Sequence, residues 1–90
     1  MKEGDFVFDS TGAGMEFLGT ELRAGITRAN IAKNTSDESK KQRNRQEARK
    51  AYDAVLRFLP GTFLSQEEKE EIDSKLTELK FALRSLGDEV

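Results

Sequence analysis

Ninety residues with no cysteine and no histidine exclude a disulfide framework, a thiolate or imidazole metal centre and the usual histidine-based catalytic triad. A formal charge of −2, with charged and hydrophobic residues at 36% each, fits one small helical domain with a narrow core. So short a chain buries little surface, and without covalent or metal staples its remaining route to extra burial is association with another chain.

Residues 1–14 contain Gly4, Gly12 and Gly14, together with Ser10-Thr11, and read as a flexible N-terminal tail. Their one apolar patch, Phe6-Val7-Phe8, is expected to dock on the helices, because a lone strand would leave its backbone unpaired. No basic segment followed by an apolar one opens the chain, and no apolar run reaches the roughly 20 residues that span a bilayer. The expected compartment is therefore the cytoplasm.

A single domain is expected over 15–87, with helices at about 15–33, 37–59 and 65–86. In the first helix Met15, Leu18, Leu22, Ile26 and Ala29 form a stripe. Gly19 and Gly25 lie inside it and each costs about 1 kcal/mol relative to alanine, so this helix is expected to be the least secure. The same small residues permit a close helix contact. Thr35 or Ser36 is the expected cap of helix two, with Asp37–Lys41 and Asp53–Arg57 as supporting i,i+4 pairs.

The second half of helix two carries Ala48, Ala51, Tyr52, Val55, Leu56 and Leu59 on one face, and Pro60-Gly61 stops it. Ala48, Tyr52, Val55 and Pro60 have the spacing of the second helix of a tetratricopeptide repeat, and over about 13 residues the segment resembles that family. Val55 stands where the family has alanine. The positions around Ala32 and Thr35-Ser36 depart from the first-helix pattern, and no second repeat follows. The resemblance implies helix-hairpin packing and nothing about a partner.

Helix three opens on Ser65-Gln66-Glu67-Glu68, where Ser65 and Glu68 form a capping box and the acids face the positive end of the helix dipole. Ile72, Leu76, Leu79, Leu83 and Leu86 then step by four, three, four and three, the seam of a helix lying against other helices. Gly87 is the expected left-handed C-cap. Helices two and three therefore read as an antiparallel hairpin, and the fold as all-α: a three-helix bundle, or a long hairpin with a less secure first helix.

One feature of this hairpin does not balance. No apolar residue occurs from Ser36 to Glu47. Pairing about residues 61–64 sets Leu79, Leu83 and Leu86 opposite Arg45, Lys41 and Glu38. Either helix one covers these leucines or they face a partner. Phe81 is off the seam and reads as an exposed anchor. Leu79, Phe81, Leu83 and Leu86 are thus the candidate interaction residues. The small net charge also conceals a basic pole around Arg28, Lys33, Lys40, Lys41, Arg43, Arg45, Lys80 and Arg84, and an acidic pole around Glu16, Glu21 and 67–73.

The expected role is a small non-catalytic intracellular interaction or adaptor module, binding a protein partner or a second copy through helix three. The alternative is a small nucleic-acid-binding regulator. It would use Lys40, Lys41, Arg43, Arg45 and Arg49 on phosphates, with Gln42, Asn44 and Gln46 on base edges. No aromatic residue is interleaved for base stacking. Glu67, Glu70 and Glu71 lack the loop that a hard-cation site needs, and Gly12-Ala13-Gly14 lacks the strand and lysine of a phosphate loop. No cofactor, metal, membrane or small-molecule substrate is expected.

Overall fold

The computed structural model describes residues 12–90, and the expected docking of Phe6-Val7-Phe8 lies outside the described residues. Helix α1 runs over Ala13–Asn34, α2 over Glu38–Phe58 and α3 over Gln66–Ser85, with a 3₁₀ turn at Leu59–Gly61. They form an all-α three-helix bundle. Phe17 meets Phe58 edge-on at a centroid distance of 5.4 Å, and Arg28 meets Asn44 at the opposite end, so α1 and α2 are antiparallel. Met15, Gly19 and Arg23 border Glu71, Ile72 and Lys75, while Ile26 and Lys33 border Glu78 and Ala82. Helix α3 therefore runs parallel to α1.

The helix ends follow capping chemistry. Ser65 Oγ accepts from the Glu68 amide at 3.1 Å, and Glu68 Oε1 accepts from the Ser65 amide at 2.9 Å, completing the expected capping box. Helix α2 is capped by Asp37, whose Oδ1 accepts from the Lys40 amide at 3.1 Å. Thr35 and Ser36, the expected caps, lie outside it, and Thr35 Oγ1 instead accepts from the Asp37 amide. With its carboxylate fixed on the Lys40 amide, Asp37 does not form the expected pair with Lys41. Asp53 likewise pairs with Arg49, at 3.1 Å, rather than with Arg57. At the end of α3, Gly87 has φ +95°. Its amide donates to the Arg84 carbonyl and the Asp88 amide to the Leu83 carbonyl, both at 3.0 Å, which closes the helix with a left-handed residue.

Leu18, Leu22, Ala29, Ala48, Tyr52, Val55, Ile72, Leu79 and Leu83 form the core. Burying each large aliphatic side chain contributes about 1.5–3 kcal/mol. The helix expected to be least secure is the central one. Helix α1 packs most extensively on α2 and next on α3, while α2 and α3 meet each other least. The physical reason lies in its small residues. Gly25, Ala29 and Ala32 are buried, as are Ala48 and Ala51 on the facing helix. A Cβ on Gly25 would lie 3.0 Å from the Ala51 methyl and 2.8 Å from Leu79 Cδ2, so a side chain here would require α2 to give by a few tenths of an ångström and the leucine to turn aside. The helix-propensity penalty of Gly25 is offset by packing that a larger residue would disturb.

The register of α3 also differs from a tight hairpin. Leu79 sits level with Ala51, against Gly25, rather than opposite Arg45. Arg45 instead reaches Asp88. Thr62 and Ser65 both have extended backbone, so the connection carries α3 along α2 before the helix begins.

Candidate interaction surface

Helix α3 presents two kinds of apolar side chain, and burial separates them. Leu79 and Leu83 are 0% exposed and belong to the core. They are not an interface, because α1 covers the leucines that a hairpin alone would leave facing α2's polar half. Leu86 is half-buried and packs against the same core. Of the four candidate interaction residues only Phe81 is free, with 61% of its surface exposed. Its position two residues off the leucine seam turns it away from the core.

Phe81 stands beside a shallow groove between α1 and α3, lined by Ile26, Asn30, Lys33, Glu78, Ala82 and Ser85. Ile26 and Ala82 are only partly buried and form the apolar floor. Among the described residues two other large apolar side chains are exposed, Leu56 on α2 and Phe63 in the connection to α3. Phe63 is absent from the candidates drawn from sequence, because its place in a non-periodic linker gives no face on which to put it.

The basic start of α2 divides in the same way. Arg45 Nη1 donates to Asp88 Oδ1 at 2.9 Å, and Arg49 Nη1 approaches the same oxygen at 3.5 Å. Arg49 Nε also donates to Asp53 at 3.1 Å. That hydrogen bond, aided by the charges of Asp53 and Asp88, raises the Arg49 pKa above its ordinary value. Asp88 Oδ2 is buried with no hydrogen-bond partner among the described residues. Both arginines therefore hold the end of α3 against α2. Lys40 and Arg43 are exposed, and Lys41 is half-buried.

Asn44, a candidate base reader, is 4% exposed. Its Nδ2 donates to the Lys40 carbonyl at 2.9 Å and its Oδ1 accepts from Arg28 at 3.2 Å. It fills, as a satisfied polar side chain, the stretch of α2 that has no apolar residue. Buried and engaged in this way, it does not reach a nucleic-acid base.

Among the described residues no cluster of three or more acidic side chains is arranged to hold a metal ion, and no helix is long and apolar enough to cross a membrane. No family model, curated protein or solved structure matches the chain.

Proposed function

We propose that the protein is a small non-catalytic interaction module that binds a protein partner through the α1–α3 face around Phe81. The observation carrying this reading is a large aromatic side chain, 61% exposed, beside a groove with an apolar floor at Ile26 and Ala82. Burying an aromatic ring in a groove is a common source of binding energy at protein interfaces. Charged groups at the rim, Lys33 and Glu78, supply orientation.

Nucleic-acid binding is the weaker reading. Of its five expected cations, Arg45 and Arg49 are engaged with acidic side chains and only Lys40, Lys41 and Arg43 remain. Three phosphate contacts with no stacking aromatic give little affinity at physiological salt.

A photoreactive phenylalanine analogue at position 81, compared with the same analogue at exposed Glu47, tests the proposal in cells making the protein. Protein adducts from position 81 and not from position 47 are expected. Adducts from both or neither overturn it. Measurable binding of DNA or RNA by the purified protein at low salt, lost on changing Lys40, Lys41 and Arg43 to glutamine, favours the other reading.

A further inference from the structure

Two arginines one turn apart on α2 are oriented by their own helix. Arg45 Nε and Nη2 both donate to Gln42 Oε1, at 3.2 and 2.8 Å, and Arg49 Nε donates to Asp53 Oδ1 at 3.1 Å. Each guanidinium is held along one edge by a residue three or four positions away, which leaves its Nη1 to act elsewhere. Both Nη1 atoms converge on one point, and Asp88 Oδ1 fills it, 2.9 Å from Arg45 and 3.5 Å from Arg49. The fit is incomplete. The longer contact is beyond ordinary hydrogen-bond distance, and Asp88 Oδ2 is buried with no hydrogen-bond partner among the described residues.

We propose that Arg45 and Arg49 form a carboxylate-binding site built by α2, which residues 86–90 occupy as an autoinhibitory strap and which an acidic segment of a protein partner takes over. The strap itself shows the chemistry the site accepts. The Asp88 carboxylate lies on the arginine pair, and Val90, two residues on, is partly buried against the core. Glu89 between them is exposed. The left-handed turn at Gly87 fixes where Asp88 arrives, so its carboxylate engages the arginines through one oxygen only. A partner's carboxylate is free of that turn. It presents both oxygens, one to each Nη1, and satisfies the atom that the strap leaves unpaired. The strap competes as a tethered ligand at an effective concentration of about mM, and so turns away acidic segments that bind weakly.

The probe is a synthetic peptide with the sequence of residues 85–90, Ser-Leu-Gly-Asp-Glu-Val. It is added to the purified chain up to about 5 mM while the Arg45 and Arg49 Nε–H resonances are followed by NMR. Asp88→Asn keeps the side-chain shape and removes the charge, and it is expected to raise the affinity for the peptide about tenfold over the unchanged chain. Gly87→Ala strains the turn that delivers Asp88, opens the strap by a different route and is expected to act in the same direction. Glu47→Gln removes the same charge from an exposed position on α2 and is expected to change nothing. A peptide with asparagine in place of its aspartate is expected to leave both resonances unmoved. Adding Arg45→Gln to Asp88→Asn abolishes the gain. Leu79 and Leu83 keep α3 in the core of every variant, and unchanged helicity confirms folding.

Equal affinity in Asp88→Asn, Gly87→Ala and the unchanged chain overturns the autoinhibition, and equal shifts from the aspartate and asparagine peptides overturn the carboxylate site. A gain in Glu47→Gln as large as that in Asp88→Asn reports net charge alone and overturns it as well. A short single-stranded oligonucleotide that gains more from Asp88→Asn than the peptide does assigns the arginines to phosphate and excludes the acidic segment. None of these results bears on adducts from position 81, so the Phe81 surface stands or falls by its own test.

Discussion

A methyl group added at Gly25 would meet Leu79 Cδ2 at 2.8 Å and the Ala51 methyl at 3.0 Å. The leucine end can rotate, but the alanine methyl moves only with its helix. Overpacking of this kind costs about 1–3 kcal/mol, against about 1 kcal/mol gained in helix propensity. At Gly19 the same methyl meets only the end of Arg23, at 3.6 Å. Gly25→Ala is therefore expected to lower stability by up to about 2 kcal/mol, and Gly19→Ala to raise it by about 0.5–1 kcal/mol. Urea denaturation of the two variants checks the opposite signs, and stabilisation by both would show that the α1–α2 approach is looser than these distances imply. From sequence both glycines read alike, as penalties within a helix. What distinguishes them is a neighbour brought close by the fold, which composition does not contain.

The ends of the elements were more legible than their partners. Ser65, Glu68 and Gly87 act through hydrogen bonds and backbone angles within a few residues, so their roles could be read locally. The leading role of α1 could not, because Gly25, Ala29 and Ala32 give little apolar volume and act by allowing close approach. Asn44 escaped for a related reason: a satisfied buried amide leaves no mark in a hydrophobic pattern. The closure of α3 on α2 has its own test. Asp88 is held against Arg45 by the Gly87 turn, with side chains 12% and 25% exposed. A cycle of Arg45→Gln, Asp88→Asn and the double variant is expected to give a coupling of about 1 kcal/mol, more than a fully solvated pair provides. Zero coupling in thermal unfolding would mean that Arg49 alone holds the carboxylate.

At the scale of the whole molecule, the bundle separates its charges much as the order of helices dictates. The start of α3, with Glu67, Glu68, Glu70 and Glu71, lies beside the start of α1, and the start of α2, with Lys40, Lys41 and Arg43, lies beside the end of α1. Two of the expected cations, Arg45 and Arg49, are nevertheless neutralised by a residue more than thirty positions away in the chain. That contact depends on the slide of α3 along α2, set by the extended connection at 62–65, which has no periodicity to read. Phe81 could be found because leaving the seam of a regular helix is itself a local signal. Leu79 and Leu83 could not be assigned to core or surface until the place of α1 was known.

The turn between α1 and α2, only three residues long at 35–37, has a consequence for how the chain reaches this state. Two helices joined by so short a loop lose little chain entropy on meeting, whereas α3 must pass along α2 and settle parallel to a helix far behind it in the chain. The α1–α2 pair is therefore expected to form early and α3 to dock late. Ala48→Gly, within the early pair, is expected chiefly to slow refolding. Leu83→Ala, which removes a fully buried side chain worth about 2–5 kcal/mol, is expected chiefly to hasten unfolding. Stopped-flow chevrons of the two variants read the order directly, and a reversal would place α3 in the nucleus.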